Sequence, residues 1–102
     1  MADLWTWSGE YIGRREGNEL WSHSGRHVGH FHGDDVFASD GCYLGEIMSQ
    51  SRLITNQSKK HLQQGSFSPY MSRVGWVPFV SYVGNVMYVG YEDFPSLKQL
   101  EA

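Results

Sequence analysis

Glycines recur at a fixed interval through the first half of this chain. Gly9, Gly17, Gly25, Gly33 and Gly41 stand eight residues apart, and a second series, Gly13, Gly29 and Gly45, stands sixteen apart. A helix through this region would carry a glycine about every four residues, each costing roughly 1 kcal/mol against alanine. The spacing instead predicts turns every eight residues with strands of about five between them, the usual strand length.

Aligned on the second series, Tyr11-Ile12-Gly13 matches His27-Val28-Gly29 and Tyr43-Leu44-Gly45. Ser8-Gly9 then matches Ser24-Gly25 and Asp40-Gly41, and Leu20-Trp21 matches Val36-Phe37 and, one residue out of step, Leu53-Ile54. Such internal self-similarity marks a repeat architecture. The reading is all-β, made of consecutive short β-hairpins with a sixteen-residue unit. Gly17-Asn18 and Gly33-Asp34 suit two-residue hairpin turns, which need a residue tolerant of positive φ. Gly13, Gly29 and Gly45 fall inside strands, where glycine marks a bulge or a close backbone approach. A bulge would place Ile12 with Arg15, Val28 with Phe31, and Leu44 with Ile47 on common faces.

The second half is less regular. The whole chain, 1–102, reads as one domain with units at about 4–21, 22–37 and 38–54, an insert at 55–73, a diverged unit at 74–94 and a tail at 95–102. The insert is polar and is expected to be a loop excursion. In the diverged unit, Gly84-Asn85 is expected to turn a hairpin between Trp76-Val77-Pro78-Phe79-Val80 and Val86-Met87-Tyr88-Val89, with Gly90 echoing the in-strand series. Both strands are almost wholly apolar, whereas a strand with one face in water should alternate. The second face therefore needs cover, either from Leu62, Phe67, Tyr70 and Met71 of the same chain or from a homodimer through residues 76–91.

The threefold Ser/Asp-Gly-x-Tyr/His-Ile/Val/Leu-Gly pattern, with Tyr88-Val89-Gly90-Tyr91-Glu92-Asp93-Phe94, resembles the bacterial four-fold beta flower proteins. The resemblance covers nearly the whole chain and implies four hairpin units in a pseudo-four-fold arrangement, with one polar insert here. Its motifs are structural glycines and aromatics, so it brings no catalytic residue.

Several side chains invite a chemical reading. In a strand, His30 and His32 share a face, a metal-ligand spacing, and Asp34 stands in the following turn. The repeat argues the other way: His30 aligns with Arg14 and Glu46, and Asp34 with the turn residue Asn18. Cys42 beside His27 would be a nucleophile and base, yet Cys42 aligns with Glu10 and Arg26 at a turn. Trp5, Trp7 and Trp76 fall outside the strict repeat and, with Tyr88, are candidates to line a ligand pocket. Trp21 and Phe37, in register, are expected in the core. No cofactor is indicated.

Composition narrows the classes. The net charge of −3 and scattered basic residues argue against a nucleic-acid binder. No apolar run reaches the ~20 residues of a membrane helix, so no membrane partner is expected. One cysteine permits no internal disulfide, and no basic start followed by an apolar run opens the chain, so the expected location is cytoplasmic. Two functions remain: a non-enzymatic binding or assembly module on an aromatic-rich β scaffold, or a metal-dependent or cysteine-based enzyme centred on the histidine-rich second unit. The first is favoured, since no catalytic constellation is visible.

Overall fold

A computed structural model describes residues 2–102. Seven strands form a closed barrel: β1 (Ala2–Thr6), β2 (Tyr11–Glu16), β3 (Glu19–Ser22), β4 (His27–His32), β5 (Asp35–Phe37), β6 (Tyr43–Met48) and β7 (Arg52–Asn56). Each pairs antiparallel with the next, and the barrel closes where β7 runs parallel to β1, Trp5 opposite Arg52 and Thr6 opposite Leu53. An extra strand, β8 (Tyr91–Asp93), pairs antiparallel with the far half of β7, and a one-turn helix, α1 (Leu97–Leu100), follows. Closure removes the exposed sheet edges that would otherwise invite aggregation.

The glycines do what local geometry demands. Gly17 and Gly33 turn the β2–β3 and β4–β5 hairpins with φ of 59° and 64°. The turns at the other end of the barrel are longer and all closed alike: Thr6 N–H donates to Glu10 and Gly9 N–H to Thr6, and the same pair of bonds recurs at Ser22–Arg26 and Ala38–Cys42. The register shifts at Leu4/Trp5, Leu20/Trp21 and Val36/Phe37, opposite Gly13, Gly29 and Gly45, so the expected bulges are present. Each leaves one extra residue on the partner strand: Ile12, Val28 or Leu44. A Cβ on Gly13 would overlap the carbonyl of Trp21 across the ladder, and only glycine allows that approach.

Successive residues of a strand point to opposite faces, and in this barrel both faces are buried. Inside the barrel lie Leu4, Ile12, Leu20, Phe31, Val36 and Leu53, joined by Phe94, with Val28, Leu44, Ile47, Leu97 and Leu100 packed at the margin. Val28 with Phe31 and Leu44 with Ile47 thus share the core as expected, and Arg15 reaches the same side, its guanidinium 4.2 Å above the Phe31 ring. Trp5, Tyr11, Trp21, His27, Phe37 and Tyr43 are buried as well, in a second, aromatic layer. Consecutive apolar pairs such as Leu4-Trp5 and Leu20-Trp21 are the signature of strands covered on both faces.

The expected hairpin at 76–80 and 86–89 does not form, and no diverged fourth hairpin unit follows the insert. Residues 66–88 carry no helix or strand, and the Gly84-Asn85 stretch is part of an extended strap. The strap's backbone bonds go to the barrel instead of across a hairpin. Gln64, Arg73 and Tyr82 N–H groups meet Gly41, Gly25 and Gly9, and Phe67, Trp76 and Asn85 N–H groups meet Ser39, His23 and Trp7. Steps of nine in the strap therefore match steps of sixteen in the barrel, in reverse order. In the insert, β7 continues to Asn56 and a 3-10 turn spans Gln57–Lys59, with Asn56 capping it by accepting from Ser58 N–H.

Candidate interaction surface

The strap obeys a period of three that neither a helix nor a strand would give. One position of each triplet is aromatic or polar: Phe67, Tyr70, Arg73, Trp76, Phe79, Tyr82, Asn85 and Tyr88. The next is valine from Val74 onward: Val74, Val77, Val80, Val83, Val86 and Val89, preceded by Met71. The remaining position is small or proline at Ser66, Pro69, Ser72, Gly75, Pro78, Ser81, Gly84 and Gly90, with Met87 the exception. Three residues per turn without internal hydrogen bonds is the period of the polyproline II helix.

The first position faces the barrel. Tyr70 lies 4.9 Å from the His27 ring, and Arg73 sits 3.8 Å over Trp21. Phe79 lies 5.2 Å from Tyr11, Tyr82 stacks on Trp5 at 4.1 Å, and Tyr88 lies 5.5 Å from Trp7. Polar bonds pin the seam: Trp5 Nε1 donates to Val80 O at 2.9 Å, Trp7 Nε1 to Val86 O at 3.0 Å, and Trp76 Nε1 to the Tyr11 hydroxyl at 2.8 Å. The small position rests on the rim, where a Cβ on Gly75 would meet Ser24 and one on Gly84 would meet Ser8. The valine position points outward, with Met71 and the six valines 79–102% exposed. From Leu62 to Tyr91 the only charged side chain is Arg73, and it is turned to Trp21 and Glu16.

The four aromatics singled out by sequence lie along one seam and not in one pocket: Trp7 meets Tyr88, Trp5 meets Phe79 and Tyr82, and Trp76 meets Tyr11 and Arg14. Trp5 and Trp7 from β1 and its turn meet the strap that carries Trp76 and Tyr88, and the seam between the two is largely filled by their own rings. Trp7 and Tyr88 also border a cleft of about 470 Å³ with Arg52, Tyr82 and Asn85. A second cleft, about 520 Å³, opens between the strap at Pro69–Tyr70, the rim at Ser39 and the end of α1.

The histidine-rich unit is organised around Glu19. His27 Nε2 lies 2.6 Å from its carboxylate and His30 Nδ1 2.9 Å, while His27 Nδ1 accepts the backbone N–H of Tyr70. The buried His27 is thus a joint between barrel and strap, its two nitrogens both occupied. The His30 and His32 rings lie 5.1 Å apart, and Asp34 pairs with Arg15 at 3.5 Å. Among the described residues, no group of three or more His, Cys, Asp and Glu side chains is placed to hold a metal ion. Cys42 is exposed beside Asp40, whose carboxylate accepts its hydrogen bond and pushes the thiol up from its ordinary range, the reverse of nucleophile activation.

Comparison with protein-family models, with curated proteins and with solved structures gives no match to this chain. The class that the coordinates define is an all-β closed barrel of consecutive hairpins with one added strand, wrapped by an extended strap.

Proposed function

We propose that this chain is a non-enzymatic binding or assembly module whose working surface is the outward face of the strap. One observation carries the reading: the exposed large apolar side chains of the described residues all lie between Tyr70 and Val89. Weighted by their exposures, at roughly 150–250 Å² for each aromatic and about 60–120 Å² for each valine or methionine, they present on the order of 1,000 Å² of apolar surface. The largest patch on a typical monomer is about 300–600 Å². The raised Cys42 thiol lends no support to a cysteine-based enzyme.

The same reading treats the barrel as three sixteen-residue units, one short of the four that the resemblance to the four-fold beta flower proteins implies, since residues 66–88 carry no strand. The three identically closed turns and the three bulges support the unit. The scaffold's role is to hold the strap with its aromatic position inward and its valines out.

Binding of the dye bis-ANS to the native protein, diluted until it sediments as single chains, tests the surface. Strong fluorescence enhancement is expected, and it should fall by half or more in a Val80→Asp/Val83→Asp variant that keeps the wild-type circular dichroism. A native protein that leaves the dye dark refutes the reading.

A further inference from the structure

We infer that the occupant of the valine face is a second copy of this chain, docked strap to strap about a two-fold axis. This rests on the binding-surface reading above and specifies its partner. Three features point to a like partner. First, the exposed apolar side chains of the strap offer on the order of 1,000 Å², the larger part of it from Met71 and the six valines, which are 79–102% exposed. A standard stable interface needs about 800 Å² from each partner. Second, the stripe is its own mirror in spacing: with the axis between Ser81 and Tyr82, Val80 meets Val83, Val77 meets Val86, and Val74 meets Val89. An isologous interface requires that reciprocity, residue i touching j while j touches i. Third, the face is uncharged. A partner recognised by charge would find nothing to pair with, and an anionic bilayer would find no basic cluster, which is what draws a chain to such a surface. Valine also suits a face that must be buried on association, because its branched side chain has little rotamer freedom to lose.

The backbone is arranged to leave that face clear. The carbonyls of Val80, Val83 and Val86 are taken by Trp5, Arg52 and Trp7, so the polar groups nearest the stripe are satisfied inward. A partner can therefore cover the valines without stranding those acceptors.

Sedimentation equilibrium at about ten to a hundred micromolar tests the inference, with bis-ANS binding measured on the same samples. The wild type is expected at twice the 11.7 kDa chain mass. The Val80→Asp/Val83→Asp variant is expected at the single mass with an unchanged circular dichroism spectrum, since the two aspartates face each other across the axis. A dimer that survives the double substitution overturns the placement. A wild-type monomer that binds bis-ANS overturns the second copy and leaves the binding surface standing. A wild-type monomer that floats with neutral phosphatidylcholine vesicles replaces the second copy with a bilayer. A wild-type monomer that binds neither removes both readings.

Discussion

Gly25 and Gly33 belong to one eight-residue series, yet the barrel places them at opposite ends, and alanine should separate them. Both have positive φ, 93° and 64°, so either substitution forces an L-residue into a left-handed conformation at about 1–2 kcal/mol. An added Cβ at Gly33 meets nothing within 4 Å. At Gly25 it overlaps the carbonyl oxygen of Arg73, and the strap must lift. Lifting breaks Arg73 N–H to Gly25 O at 2.9 Å and Trp76 N–H to His23 O at 2.7 Å. Each is worth about 0.5–1.5 kcal/mol, and the Arg73–Trp21 contact adds about 0.5–1 kcal/mol. Gly25→Ala should therefore be about 2–3 kcal/mol worse than Gly33→Ala. With a urea slope of about 1.5 kcal/mol/M for a domain of this size, its midpoint falls about 1–2 M further. Tryptophan emission of the folded Gly25→Ala protein should also shift red, because Trp21 loses its cover. Coincident urea midpoints for the two variants would refute the seating of the strap on the turn.

Three further outcomes follow from the same geometry. Gly13→Ala should destabilise by at least about 2 kcal/mol more than Gly29→Ala, because the new methyl meets the Trp21 backbone at Gly13 but the movable Val36 methyl, at 2.7 Å, at Gly29; equal thermal midpoints would contradict it. Gln50→Gly should raise the urea midpoint, since Ser49 and Gln50 hold φ of 57° and 66° without glycine's freedom and release of one such strain is worth about 1 kcal/mol; a lowered midpoint would count against strain at this turn. Tyr11 and Tyr43 should ionise above the ordinary tyrosine range, Tyr43 chiefly through burial and then through its bond to the Glu46 carboxylate, Tyr11 chiefly through burial. Their raised values stabilise the fold fully below about pH 10 and withdraw that support as pH climbs through the folded-state values. A 295 nm titration in which all six tyrosines ionise together near pH 10 in the folded state would exclude this.

What was legible in the sequence is what the backbone demands locally. A turn with positive φ and a strand glycine facing a neighbouring carbonyl each need glycine, so Gly9, Gly13, Gly25 and Gly45 announce themselves one by one. Closure by β7 against β1 depends on residues about fifty apart and leaves no local mark. The strap was hidden for another reason. Apolar runs such as Trp76–Val80 and Val86–Val89 look like strands when tested for a period of two, and a period of three distributes the same residues over three faces. Pro69 and Pro78, nine apart, were the available signal, since neither can donate to a ladder. Of the candidate site, Trp5, Trp7 and Trp76 stand out in the sequence because the repeat does not account for them, and Tyr88 because it belongs to the apolar run. What accounts for them is the seam, where Trp5 and Trp7 meet Tyr82 and Tyr88 ring to ring and Trp76 is held by the Tyr11 hydroxyl and the Arg14 guanidinium. The His30, His32 and Asp34 grouping reads differently once Glu19 and Arg15 are in place, because partners from β2 and β3 hold His30 and Asp34 apart.

The reversed order in which strap meets barrel also sets a schedule for synthesis. A chain emerging from its N-terminus at about 5–20 residues per second lays down β1 first, with Trp5 and Trp7 bare. That strand gains its closing neighbour only when Arg52 and Leu53 arrive, and its indole partners only with Val80 and Val86. The turn at Gly41, made last, is met first, by Gln64; the turn at Gly9, made first, waits for Tyr82. The earliest part of the nascent protein is thus the last to be sheltered, for several seconds at these rates. It is during that interval, rather than in the finished fold, that a chaperone would find tryptophan to hold.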